Sequence, residues 1–250
     1  MKSSLARWLI CVVLAGVALQ LFFIGRIVGM LALDPQSTTF QRSEAWRLVG
    51  KGSRWHQTWV PYARISSHLK RAVVASEDDG FASHAGVDWG AIESAWQKNA
   101  KAQAKAEQTA QARAKQALAS AAPRPVDTKV IGGSTITQQL AKNLFLSAER
   151  TLFRKSQEFV LTLALELFLD KKRILEIYLN NVEWGEGIFG VEAAAQHYFR
   201  KPASQLGAYE SARLAVMLPR PKYFQKHPDS EYLSERAGVM VARMERAVLP

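Results

Sequence analysis

Glu77, Asp78 and Asp79 stand together before Gly80, and Phe81, His84 and Gly86 follow within a few positions. Just upstream, Leu69, Ala72, Val73 and Ser76 recur at helical spacing, which puts Glu77 near the C-terminal end of a helix. A carboxylate there faces the negative end of the helix dipole and loses solvation where it is partly buried, and both effects raise its pKa. Such a group suits general acid or base work. An acidic triplet before a glycine is also how a solvated helix end reads, so the motif alone leaves both open.

A second group of candidates follows Gly132 and Gly133: Ser134, Thr135, Gln138, Gln139, Lys142 and Asn143. Thr135 and Gln138 are spaced as a capping box. Four-residue spacing then sorts the helix, with Ile136, Leu140 and Leu144 on one face. Ser134, Gln138 and Lys142 lie on another, turned by about 200°. A polar face behind a glycine-flanked helix N-terminus offers donors to a phosphate or a sugar, though an ordinary amphipathic helix gives the same pattern. Third come Arg150, Arg154, Lys155 and Glu158, where Arg150, Arg154 and Glu158 share a stripe. A surface salt bridge of this kind is worth only about 0.3–0.5 kcal/mol. So many cations repel one another, however, unless an anion such as a diphosphate lies among them. Fourth, Asn180 closes a helical run and either positions a substrate or caps that helix.

The elements that carry these residues read as helices. Helical starts fall near Ser67, Asp88, Thr135, Arg150, Asp170, Val191, Ala208 and Ser230, and glycines and prolines punctuate them. No sustained alternation of apolar and polar residues suggests a sheet. Residues 9–24 are apolar except for Gln20, and the pattern resumes after Arg26. A helix here can cross the roughly 30 Å hydrocarbon layer if Arg26 snorkels outward. Lys2 and Arg7 before it favour a cytoplasmic N-terminus. No small-residue cleavage site follows, which favours a retained anchor over a signal peptide. Residues 1–33 thus read as tip and anchor, 34–62 as an interfacial linker carrying Trp46, Trp55 and Trp59, and 63–250 as the working domain.

Within that domain, residues 97–125 form an insertion rich in Ala, Lys and Gln, with too little apolar surface to bury. It reads as a solvated helix or a disordered insertion, with a basic helix resting on anionic lipid as the alternative. The chain of 250 residues carries a formal charge of +11, which implies an anionic partner: nucleic acid, membrane or phosphorylated substrate. A working domain outside the cytoplasm removes nucleic acid from that set. Cys11 is the one cysteine, so disulfides within the chain and cysteine-ligated zinc are excluded.

Taken in order, these segments resemble the peptidoglycan glycosyltransferase family, found alone or fused to penicillin-binding transpeptidase domains. The marks are Glu77, Asp78, Phe81, His84 and Gly86; the run from Gly132 to Asn143; and Arg154, Lys155 and Glu158. Ile174, Leu175, Tyr178, Leu179, Asn180, Gly185 and Gly190 follow, then Glu210, Ala212, Leu214, Ala215, Pro219 and Pro221. The match covers about residues 66–221, and the chain looks like the monofunctional form. It departs from the usual pattern at Asp79, where many members carry Arg, at Gly207, which replaces a Ser or Thr cap, and in the length of the insertion.

The resemblance implies a mainly α fold: a lysozyme-like helical lobe, a smaller membrane-facing lobe, and one transmembrane helix before them. It implies lipid II and the growing glycan strand as substrates, at the outer face of the bacterial inner membrane, with membrane lipid and cell-wall synthesis or division proteins as partners. The reaction it implies is a single inverting displacement, with Glu77 as general base. Lys142, Arg150, Arg154 and Lys155 would clamp the leaving diphosphate, and Glu158 would orient them or help hold a divalent cation, Mg or Mn. Ser134, Thr135, Gln138, Gln139, Asn143 and Asn180 complete the expected substrate contacts. A lysozyme-like lytic hydrolase and a non-catalytic cell-wall scaffold are the alternatives. The membrane segment and cation cluster argue against the first, and intact Glu77 and Glu158 against the second.

Overall fold

The computed structural model describes residues 2–50, 55–116, 133–147, 149 and 151–250, and these are mainly α-helical. They fall into two units, Met1–Gly86 with Thr135–Pro250, and Val87–Ser134. Arg150, Gly132 and the end of the Ala/Lys/Gln-rich insertion lie outside the described residues.

Helix α1 (Lys2–Gly29) contains an apolar stretch of 26 residues with mean hydropathy 2.4, long enough to cross a membrane. Its last turn behaves differently. Ile27 and, just beyond the helix, Met30 are buried in the same core as the rest of the unit. Arg173 donates to the carbonyls of Met30 (2.8 Å) and Leu33 (3.0 Å). Higher up, Gln20 and Gln157 exchange two amide hydrogen bonds of 2.8 and 3.1 Å. The chain is thus packed against the unit at the expected boundary, residue 33.

Residues 34–62, expected as an interfacial linker, carry helix α2 (Thr39–Val49), opened by a capping box between Thr38 and Gln41. Sequence patterning missed this helix: among its residues only Gln41 and Leu48 are buried, too few to draw an apolar stripe. Gln41 donates to the Asn181 carbonyl at 3.3 Å, and Thr39 to that of Leu144 at 2.9 Å. Strand β1 (His56–Gln57) follows, then α3 (Ser67–Glu77). Leu69, Ala72 and Val73 of α3 are fully buried, as their spacing predicts.

Helix α4 (Trp89–Gln116) belongs to the second unit, and Lys101 and Lys105 on it are exposed. Back in the first unit come α5 (Ile136–Phe145), α6 (Leu152–Phe168) and α7 (Lys171–Asn181). Asp170 caps α7 by accepting from the Arg173 amide at 2.7 Å.

The chain then turns through β2 (Glu183–Gly185) and β3 (Ile188–Phe189). With β1 these make a sheet of order β1-β3-β2, β3 lying parallel to β1 and antiparallel to β2. No sheet was expected, and strands this short hold too few residues for an alternation to register. At the exit of β3, Gly190 has φ of +78°, and a Cβ there would lie 2.6 Å from the Asn180 carbonyl oxygen. Only glycine fits.

Helices α8 (Val191–Phe199), α9 (Ala208–Met217), α10 (Pro221–Lys226) and α11 (Glu231–Met244) complete the unit. Ala212, Ala215, Leu233 and Ala237 of α9 and α11 are buried with α3 in the common core, which holds the helix that ends at Glu77.

Candidate active site

The α3 helix ends at Glu77, because Asp78 turns out of helical geometry while its amide still bonds to the Val74 carbonyl at 2.9 Å. The Asp78 carboxylate then holds two elements. One oxygen accepts from the Ile136 amide at 2.9 Å, at the N-terminus of α5, where a negative charge is favoured. The other lies 2.8 Å from His84 Nε2. His84 Nδ1 accepts from the Gly86 amide at 3.1 Å, so in the neutral ring Nε2 carries the proton and donates to Asp78.

Gly86 itself has φ of +82°, and a Cβ there would meet Thr162 at 2.7 Å and Glu166 at 2.8 Å. Its carbonyl accepts from Thr135 Oγ1 at 2.6 Å. The loop after Glu77 is thus pinned to the start of α5 at both ends. Burial raises the Asp78 pKa, while the bonds from His84 and Ile136 pull it back.

Glu77 is half-buried beside this clamp. Its Oε2 accepts from Gln139 Nε2 at 3.0 Å, and Gln139 Oε1 accepts from the Tyr178 hydroxyl at 3.0 Å. Burial lifts the pKa of Glu77 above the ordinary carboxylate value and the neighbouring Asp78 adds to it, against hydrogen bonds from Gln139 and Ser76. A half-buried carboxylate with raised basicity, held only by neutral groups, suits proton abstraction.

The cations gather around Glu158. Thr151 caps α6 by accepting from the Arg154 amide at 3.1 Å, which sets Arg154, Lys155 and Glu158 on the first turns of the helix. Arg154 donates to Glu158 Oε2 at 2.6 Å and Lys155 to Oε1. Glu158 is only 3% exposed, so this is no surface pair. The Arg154 Nε is buried with no protein partner, a donor left over for something else.

Solvent reaches Lys142 on α5, yet enough protein surrounds it to lower its pKa. Desolvation is the main cause. Glu158 opposes the shift, and Arg154 and Lys155 reinforce it. Lys142, Arg154 and Lys155 therefore form one cationic cluster organised by a buried carboxylate. The cluster fits an anion. It does not fit a divalent cation, because both Glu158 oxygens already face ammonium or guanidinium groups. Among the described residues no three His, Cys, Asp or Glu side chains gather to hold a metal ion.

Three residues expected to contact substrate, Asn180, Thr135 and Gln138, are buried and bonded within the protein. Asn180 has no exposed surface: its amide accepts from the Val60 amide (2.8 Å) and donates to the carbonyls of Val60 and Glu176 (both 2.9 Å). It fastens the segment before α3 to α7. Thr135 and Gln138 are buried and bonded to each other as a capping box, so Gln138 turns inward rather than joining a polar outer face. Gln139 contacts Glu77 directly. Asn143 is half-buried on α5, Ser134 is exposed in the other unit, and Arg150 lies outside the described residues.

Sequence reading placed Tyr178 in a motif without a role. The available signal was a tyrosine amid a buried run, whose hydroxyl must find a partner.

Residues 45–245 match the family model described as Transglycosylase. This match covers most of the chain, and the chain belongs to the transglycosylase family. Similar curated proteins carry the name biosynthetic peptidoglycan transglycosylase. The one from Burkholderia thailandensis is 49% identical over 255 residues, covering 100% of this chain and 90% of its own length. That from Burkholderia orbicola is 48% identical over 254 residues, covering 99% and 94%. That from Paraburkholderia phytofirmans is 46% identical over 250 residues, covering 98% and 94%.

Proposed function

We propose that this transglycosylase is a peptidoglycan glycan-chain polymerase, transferring the growing strand from undecaprenyl diphosphate to the 4-hydroxyl of lipid II. The observation that carries this reading is the pairing of a half-buried, raised-pKa Glu77 with a cationic cluster that keeps an unused buried donor at Arg154 Nε. The relatives' printed name points to the same glycan.

In this reading Glu77 takes the proton from the acceptor hydroxyl as its oxygen attacks C1 of the donor sugar. The bond from C1 to the diphosphate oxygen breaks, and the departing negative charge is met by Lys142, Arg154 and Lys155. Attack opposite the leaving group inverts C1 and gives a β-1,4 link. Glu158 does not contact substrate here; it holds the two α6 cations in place. A hydrolase would need water rather than a sugar hydroxyl as acceptor, and a diphosphate clamp would serve it nothing.

The apolar α1 anchors the enzyme with its N-terminus inside and its catalytic unit on the outer face of the inner membrane. Exposed Leu152, Phe153, Leu163 and Leu167 on α6, the helix paired with α1 through Gln157, favour contact with the lipid that carries the substrate. The test is initial-rate polymerisation of lipid II in detergent by the wild type and Glu77→Gln. The reading expects Glu77→Gln to retain less than a few per cent of activity. Normal synthesis by that variant, or release of free disaccharide by the wild type, would overturn it.

A further inference from the structure

We infer that Tyr178 is a positioning residue for the base: its hydroxyl fixes which end of the Gln139 amide faces Glu77, so that the amide donates to the carboxylate. This rests on the reading of Glu77 as the base. The two ends of a glutamine amide are nearly equal in shape, so packing alone does not decide which end faces the carboxylate. Hydrogen bonding decides. Glu77 Oε2 requires a donor, which turns Gln139 Nε2 toward it at 3.0 Å. The carbonyl end then faces α7 and requires a donor of its own, supplied by Tyr178 at 3.0 Å.

Tyr178 has almost no exposed surface, and burial raises its pKa well above the ordinary value, so it stays a donor. Its ring would serve the core as well without the oxygen. Among the described residues, the hydrogen bond of its hydroxyl goes to the residue that holds the base.

Removing the hydroxyl frees the amide to turn its carbonyl toward Glu77, which loses a bond favouring its charged form. The pKa of the base then rises, and activity disappears at a higher pH on the acid side. The other groups around Glu77 stay as they are. Asp78 is beside it, with His84 and Lys171 acting on Asp78. On α9, Glu210 is paired with Lys201 and Arg213 with the Pro228 carbonyl, while Arg243 on α11 is turned to Asp79.

The experiment measures full-length Tyr178→Phe and Gln139→Leu on fluorescent lipid II in detergent, across pH, beside the wild type and Glu77→Gln. Tyr178→Phe is expected to lower kcat about tenfold, with KM within about twofold and the acid limb moved to higher pH. Gln139→Leu should move the limb the same way, and the double variant should lose no more than Gln139→Leu alone. Glu77→Gln inactive but Tyr178→Phe unchanged in kcat and in its acid limb would overturn this inference and leave the base intact. A lower melting temperature with an unmoved limb would overturn it too, because the hydroxyl would then be structural only. Active Glu77→Gln would instead remove the reading on which it stands.

Discussion

Neutralising Lys142 is expected to cost activity and add stability at once. In the folded chain the Lys142 ammonium sits in a partly desolvated position, with Arg154 and Lys155 repelling it and Glu158 attracting it. Its pKa is lowered, so the folded state binds this proton less tightly than the unfolded state does. Below the lowered pKa, the protonated amine therefore costs stability, and the cost disappears as pH rises through that value. Lys142→Met removes the cost and should raise the melting temperature at neutral pH. In the proposed reaction the same change deletes a charge-assisted contact to the leaving diphosphate, worth about 1.5–3 kcal/mol. At about 1.36 kcal/mol per decade, initial rates should fall by roughly tenfold to over a hundredfold. Lys101→Met, on the exposed face of α4, changes net charge equally and should lose little in detergent. Rates are compared on lipid II at matched ionic strength, with melting followed by calorimetry on the same preparations. Equal, modest losses for Lys142→Met and Lys101→Met would mean that positive charge acts as a diffuse field and that the cluster is no clamp.

Glu158→Gln should reduce polymerisation severely and also destabilise the fold by about 3 kcal/mol, because it strips a buried carboxylate from the charges it holds; denaturant unfolding checks this, and an unchanged midpoint would show the pair to be superficial. Glu77→Gln should instead raise the melting temperature at neutral pH. The Glu77 pKa is raised on folding, so the ionised form is disfavoured in the native state and the gain should fade as pH drops from that raised value toward the ordinary carboxylate value; calorimetry across pH measures it, and a gain that grows toward acid would contradict the sign. Deleting residues 1–18 should leave a stable enzyme active in detergent, whereas deleting 1–33 also removes buried Ile27 and Met30, at about 1.5–3 kcal/mol each, and should lower the melting temperature clearly; equal melting temperatures would show that the foot of α1 is dispensable.

The helices were legible because their signals are local and repetitive. Leu69, Ala72 and Val73 mark the buried face of α3, and Ile136, Leu140 and Leu144 that of α5, with spacing alone as evidence. The cap at Thr135 followed from the same kind of short-range rule. What escaped depends on partners distant in sequence. Helix α2 is held by Thr39 on Leu144 and Gln41 on Asn181, more than a hundred residues away, so no periodicity within 34–62 could announce it. The foot of α1 escaped for a related reason. An apolar residue facing lipid and one facing protein look alike in sequence, and only Arg173 and the surrounding core separate Ile27 and Met30 from the residues above them.

The site divides along the same line. Charge, spacing and the order of motifs brought Glu77, Lys142, Arg154, Lys155 and Glu158 into view, because each carries its chemistry in its own side chain. Asn180, Thr135 and Gln138 carry polar groups equally suited to sugar or backbone, and the backbone takes them. An amide or hydroxyl is ambiguous in this way, whereas a buried charge is not, since it must be paired, organised or used. The acidic triplet shows the rule at its sharpest. Asp78 and Glu77 are neighbours in one motif, and burial raises both. Asp78 is spent on His84 and the α5 N-terminus, both of its oxygens engaged. Glu77 is held by neutral groups, the Gln139 amide and the Ser76 hydroxyl. The proposed reaction needs a base that is both basic and reachable, and of these two carboxylates Glu77 is the one that fits.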